Sequence, residues 1–247
     1  MALTDNIISY YKLDETTGTT VTDSVGNQNG TLQSNSAFGT GKINNGLVTS
    51  SDKSSNAGIL FGANDSHDIS QYPFTISAWF KTSYNTAQDN SYMHIFDTQK
   101  TTTNYSGFWL SMAMGVTSVD RGKINLFYRN SSGSNYKLTT SSTYNDGNWH
   151  FVAATISSDG DMKLYIDNGS ALTGTTASGS LFTSTKSSSI GVNVSGAPND
   201  VWVGSLDEIG LWSRELTSTE VASLYNSGAG LQYPFTTTTF LPQMILT

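Results

Sequence analysis

Cysteine is absent from the chain, which removes disulfides, thiolate zinc sites and thiol nucleophiles together. Basic residues are scarce. Twelve Lys and Arg are scattered among nineteen Asp and Glu, a formal net charge of -7, so no basic stripe exists to neutralise a phosphate backbone and nucleic acid is not an expected partner. Charged residues of both signs make up 13% of the chain, too few for the Lys- and Glu-rich surfaces of helical proteins. No stretch approaches the roughly 18 apolar residues of a membrane span. The opening MALTDNIISYYKLDE has neither a basic start nor a long apolar run, so no cleaved secretory signal is expected there. The protein is then expected to work inside the cell, or to leave it by another route such as assembly into a virus particle. The three histidines, His67, His94 and His150, stand far apart with no metal-ligand spacing, and no Gly-x-Ser-x-Gly elbow is present.

What is abundant is Thr, Ser, Gly and Asn, with aromatics at 11%, a mixture that suits short strands joined by polar turns. Alternation with a period of two bears this out. In PFTISAWFK one face carries Phe74, Ile76, Ala78 and Phe80 and the other Thr75, Ser77, Trp79 and Lys81, the pattern of a half-buried strand. GFWLSMAMG places Phe108, Leu110, Met112 and Met114 on one face, and KINLFYRN does so with Ile124, Leu126 and Tyr128. WHFVAATIS is apolar on both faces, so both should be covered. After it, Asp159-Gly160 supplies positive φ angles for a tight hairpin into MKLYID. About a dozen such strands predict one all-β sandwich of two antiparallel sheets over residues 1–235.

One helix signal stands out near the end. Thr217 as N-cap with Glu220 three residues on forms a capping box. Leu216 and Val221 make the matching hydrophobic staple, Val221, Leu224 and Tyr225 share an apolar face, and Gly228 suits the stop. Beyond residue 235 the sequence TTTTFLPQMILT favours extended backbone and is too apolar to stand free. Residues 236–247 are expected to be an arm that docks elsewhere, or else a last strand or a disordered end.

Four segments, YYKLDETTGTTVTDSVGNQNGTL, FTISAWFK, DGNWHFVAATISSDGDMKLYIDN and GSLDEIGLWSRELTSTEVASLYNSG, occur in the order found in laminin-G-like, concanavalin A-like jelly-roll domains of bacterial surface and phage virion proteins. The chain resembles that family between residues 10 and 235. The resemblance implies a jelly-roll sandwich and a non-enzymatic binding or structural module: a phage virion surface protein with lectin-like adhesion to glycans or a host surface, or alternatively a carbohydrate-binding adhesion domain of a bacterial surface protein. Partners would be glycans and, through the arm, other virion proteins, with a homo-oligomer open.

The site residues follow from the same readings. Some glucanases of this fold carry Glu-x-Asp-x-x-Glu on one strand. Here Asp207 and Glu208 are adjacent and should point to opposite faces, so glycoside hydrolysis is not expected. In SLDEIGLW the apolar positions break step, which predicts a bulge near Asp207 and Glu208, with the following helix at the sandwich margin. Trp149, opening its strand, is expected in the inter-sheet core. Related domains hold a structural Ca²⁺ where N- and C-terminal segments meet, which by resemblance brings Asp23 and Asn29 towards Asp207. The rival is an Asx-turn at Asp23 and a buried Asp207 bonded to backbone N–H groups. Saccharide binding needs aromatic faces with amides beside them; Tyr84, Tyr105, Tyr136 and Tyr144 are the candidates, or they seal sheet edges.

Overall fold

The computed structural model describes residues 1–49, 56–62, 67, 73–86, 91–100, 107–115, 120–130, 132–175, 186–194 and 200–235. Among these, the strands in the first half are β1 (Ile7–Tyr11), β2 (Thr20–Val21), β3 (Gly30–Leu32), β4 (Ser36–Thr40), β5 (Asn45–Thr49), β6 (Ile59–Leu60), β7 (Phe74–Lys81) and β8 (Tyr92–Lys100). There follow β9 (Gly107–Ala113), β10 (Ile124–Arg129), β11 (Asn135–Thr139), β12 (Trp149–Ile156), β13 (Asp161–Ile166), β14 (Leu172–Thr175), β15 (Lys186–Ile190) and β16 (Gly204–Trp212). The α-helix α1 (Ser218–Tyr225) comes last.

Two eight-stranded sheets result. Sheet A runs β14-β13-β12-β7-β16-β5-β4, with β1 also paired to β16, and sheet B runs β11-β10-β9-β8-β15-β6-β3-β2. Every pairing is antiparallel. This is the jelly-roll sandwich that the alternation requires. The inner faces meet in one apolar cluster, to which β7 gives Phe74, Ile76, Ala78 and Phe80, β9 gives Phe108, Leu110 and Met112, and β10 gives Ile124, Leu126 and Tyr128. Fully burying each such side chain contributes about 1.5–3 kcal/mol, which fixes the register, since a one-residue slip would turn each row outward.

The outer face of sheet A is covered too. Thr75, Ser77 and Trp79, read from the alternation as the open side of a half-buried strand, are all buried. A second apolar cluster of Tyr10, Trp79, Phe151, Tyr165, Trp212, Leu216, Val221 and Leu224 lies there, with Tyr233 and Phe235 packed against it. Trp149 belongs to this outer layer and not to the inter-sheet core. Likewise α1 does not sit at the margin: Tyr225 stacks on Trp79 of the central strand β7, centroids 5.7 Å apart at 15°. Thr75 shows why a polar residue can face this layer, because its hydroxyl donates to the Arg214 carbonyl (2.7 Å) and accepts from the Leu216 amide (2.9 Å).

Local chemistry sets the joins. The β12–β13 hairpin forms as expected, but Gly160 alone takes a positive φ, 85°. The Gly160 amide donates to the Ser157 carbonyl (3.0 Å) and the Ser157 amide to the Asp161 carbonyl (2.9 Å), so the loop is a turn ending in a left-handed glycine. The capping box of Thr217 and Glu220 is complete, and Leu216 and Val221 are buried together. The helix stops two residues before Gly228, at a left-handed Asn226 with φ 49°, since Asn tolerates that conformation at little cost.

Candidate functional site

The acidic stretch of β16 forms a clasp. Pairing of β16 with β7 shifts between Asp207 and Gly210, and Glu208 adopts φ 50°, so the expected bulge is present. Its consequence differs from the expectation of opposite faces. Asp207 pairs with Trp79, an outward residue of sheet A, and Glu208 accepts from the hydroxyl of Tyr10, whose ring lies in the same outer layer. The extra residue of the bulge thus brings both carboxylates to one side, where they are 0% and 2% exposed.

Asp207 Oδ2 accepts the amides of Lys42 (2.7 Å) and Ile43 (2.9 Å), and Oδ1 that of Glu208 (2.9 Å). Any Cβ at Gly41 would strike both the Asn45 carbonyl and this carboxylate, so the turn around Asp207 requires glycine. Glu208 Oε1 accepts from Gln232 Nε2 (2.6 Å), which also donates to Asp14 Oδ2 (2.9 Å). Burial, reinforced by the Glu208 charge, raises Asp207 to about 8 against the pull of its three amide donors. Burial likewise raises Glu208 to about 7, with Tyr10 and Gln232 pulling the other way.

Asp23 and Asn29 do come together, through the Asp23 amide and Asn29 Oδ1 at 2.9 Å. Asp23 Oδ1 accepts the amides of Tyr10 (3.0 Å) and Val25 (3.1 Å), and Oδ2 that of Gln28 (3.4 Å). Asp207 is held on the 41–44 turn. Both carboxylates therefore face amide donors, and among the described residues no group of three His, Asp or Glu side chains is arranged to hold a metal ion.

Of the tyrosines, Tyr84, Tyr136 and Tyr144 rest half-buried against the inter-sheet core, and Tyr105 lies outside the described residues. The segments of Tyr84 and Tyr144 meet where Asn145 Nδ2 donates to the Tyr84 carbonyl (3.2 Å). Beside them His150 lies between Asp167 (Nδ1 to Oδ2, 3.0 Å) and Asp146 (Nε2 to Oδ1, 3.1 Å). Burial alone would lower His150; the two carboxylates prevail and raise it.

The outer face of sheet B presents a different arrangement, missed by a reading that followed only the inward rows. Register sets His94, Ser111, Asn125 and Thr139 side by side across β8, β9, β10 and β11, and sets Asp97, Trp109, Phe127 and Lys137 in the next row. Trp109 and Phe127 stack at 4.0 Å and 16°, both half-buried. His94 Nδ1 lies 2.9 Å from Asp97 Oδ2, and Asn125 Oδ1 accepts from the Thr139 hydroxyl at 2.7 Å. Around the stack, Ser111 Oγ, Asn125 Nδ2 and Arg129 Nε are buried without a partner among the described residues. Orphaned polar atoms of this kind cost roughly 1–3 kcal/mol each, and register places their residues in the rows on either side of the Trp109–Phe127 pair.

Residues 52–222 match a laminin-G family model described as the Concanavalin A-like lectin/glucanases superfamily. No curated protein sequence matches the chain. Among solved structures, the binding domain of Paraclostridial Mosquitocidal Protein 1 is similar over 91% of this chain and 52% of its own, with a TM-score of 0.68 and 17% identity. Domain 4 of AbnA, an extracellular arabinanase from Geobacillus stearothermophilus, in complex with arabinotriose, aligns over 88% of this chain and 97% of its own, with a TM-score of 0.65 and 22% identity. The ligand-binding domain of botulinum neurotoxin serotype D in complex with N-acetylneuraminic acid aligns over 90% and 51%, with a TM-score of 0.67 and 17% identity. The chain spans about half the length of both toxin domains, and at these identities the likeness is one of fold.

Proposed function

The chain belongs to the concanavalin A-like lectin/glucanase superfamily, and from that premise we propose that it is a non-catalytic glycan-binding module whose ligand lies on the outer face of sheet B. The Trp109–Phe127 stack carries this reading, ringed as it is by the unpartnered Ser111 Oγ, Asn125 Nδ2 and Arg129 Nε. Pyranose and furanose rings present C–H faces that pack on aromatic planes, and their hydroxyls both donate and accept, which suits a mixed set of amide, hydroxyl and guanidinium groups. Lys137, exposed in the same row, adds a cation at the flank of the stack. The folds similar to this one include domains solved with arabinotriose and with N-acetylneuraminic acid, which supports a saccharide as the ligand class. A glycan array followed by titration of the best ligand tests the reading. Trp109→Ala should weaken binding by about tenfold or more, at least ~1.4 kcal/mol, with the melting curve little changed; full affinity in that variant would refute the site.

A second element of the proposal is display on a particle or cell surface. Phe235, the last described residue, stacks against Trp212 and meets Tyr10 edge-on, on the outer side of sheet A and away from the proposed glycan face. The arm can then anchor the module while sheet B faces outward. Deleting residues 236–247 should release the protein from its native assembly and leave glycan affinity intact; retained association would reject the anchoring role.

A further inference from the structure

We propose that the depression between the first turn of α1 and the β13–β14 turn is a second saccharide site, taking a neutral, hydroxyl-rich sugar unit. The inference rests on the glycan-binding reading and extends it to a second place on the same chain. The cavity measures about 570 Å³, within the ~300–1,000 Å³ of small-molecule sites.

Its walls supply polar groups from two elements: Asn168 and Ser170 from the β13–β14 turn, and Ser218 and Thr219 from the helix. Val221 and Ala222 add an apolar side for a sugar's C–H face. At the helix start the Thr217 hydroxyl accepts the Glu220 amide and the Thr217 carbonyl accepts the Val221 amide. The amides of Ser218 and Thr219 stay without an intrahelical partner, as first-turn amides must.

A helix start alone would not define a site, but Tyr165 adds an independent feature. Its side chain lines the cavity at 7% exposed, and its hydroxyl has no hydrogen-bond partner among the described residues. Burial raises its pKa, so the hydroxyl remains a donor. Asp167, two residues on from Tyr165 and also lining the cavity, keeps its carboxylate in place through the Phe151 amide (2.9 Å) and the His150 ring (3.0 Å). That negative charge offsets the positive helix end, which disfavours an anionic ligand. Each carboxylate oxygen still has a lone pair to accept from a sugar hydroxyl.

The test is a ¹⁵N-resolved titration of the full chain with arabinotriose, maltotriose and N-acetylneuraminic acid, following the Ser218, Thr219 and Asn168 amides and the Trp109 indole N–H separately. Saturable shifts of the α1 and Asn168 amides with a neutral trisaccharide are expected. Ala222→Trp, which fills the cavity, and Tyr165→Phe, which deletes one hydroxyl, should weaken that response by about tenfold and about threefold while the Trp109 response persists. A response at Trp109 alone overturns the second site and leaves the glycan-binding reading standing. Silence at both overturns both. A response at α1 to N-acetylneuraminic acid only overturns the neutral-ligand assignment.

Discussion

At Glu208 three demands meet on one side chain: it occupies the bulge, it accepts from Tyr10 and Gln232, and it is buried. Both Glu208 and its neighbour Asp207 are raised, to about 7 and about 8. A carboxyl with a raised folded value keeps its proton while the unfolded chain has already released it, so stability falls as pH rises from the unfolded value of about 4 and levels off above the folded value. His150, also raised, contributes stability that is likewise lost as pH rises through its folded value. The melting temperature should therefore decline between about pH 5 and about pH 8. Glu208→Gln keeps the shape, lets Tyr10 serve as acceptor, and removes one ionising group and its repulsion on Asp207. The variant should show a shallower decline and be more stable than the parent at the alkaline end by on the order of 2 kcal/mol. A melting series with an unchanged slope in the variant would show that the clasp does not titrate in this range.

Among the elements, α1 depends most on a few contacts. Burial alone would raise Glu220, but the Arg214 guanidinium, bound at 2.7 and 3.0 Å, and the Thr217 amide lower it to about 2. Arg214 also donates to the carbonyls of Asp5 (2.8 Å) and Ala2 (2.9 Å), so one ion pair joins the helix start to the N-terminal segment. Glu220→Ala removes the side-chain acceptor of the Thr217 amide, one half of the capping box, and leaves a buried guanidinium without its carboxylate. The expected cost in urea unfolding is about 3 kcal/mol; a loss below about 1 kcal/mol would mean that Arg214 re-pairs elsewhere. This helix was legible in the sequence because capping box and staple are local patterns that need no tertiary information. The sheet B face was legible in principle: the alternation that turns Phe108, Leu110 and Met112 inward turns Trp109 and Ser111 outward. What the one-dimensional pattern lacks is cross-strand register, which alone sets Trp109 beside Phe127 and Ser111 beside Asn125. The bulge was visible as broken alternation, yet its effect on Asp207 and Glu208 was not, because a single positive φ reverses a side chain without leaving a trace in composition.

For the molecule as a whole, the question is what holds the N- and C-terminal segments together on sheet A. The family resemblance pointed to Ca²⁺ through Asp23, Asn29 and Asp207, whereas the geometry offers direct links. Tyr10 is the centre of them: its amide donates to Asp23 (3.0 Å), its hydroxyl to Glu208, and its ring packs on Tyr233 and Phe235 at 5.9 and 5.2 Å. Trp212 Nε1 reaches the Leu3 carbonyl at 2.7 Å, tying the last strand to the first residues. The carboxylate oxygens of Asp23 and Asp207 already accept amide donors, and any of these bonds given up to a cation would leave a buried amide without a partner, at a cost of about 1–3 kcal/mol. Closure by hydrogen bonds and ring packing predicts that a chelator leaves the melting temperature within about 1 °C of its value in added calcium. Tyr10→Phe, which deletes the hydroxyl donated to Glu208, should lower stability by about 1–3 kcal/mol with or without the metal. A fall of several degrees on chelation, restored by calcium, would instead assign the closure to the cation and require the amide donors at Asp23 or Asp207 to be exchanged for metal bonds.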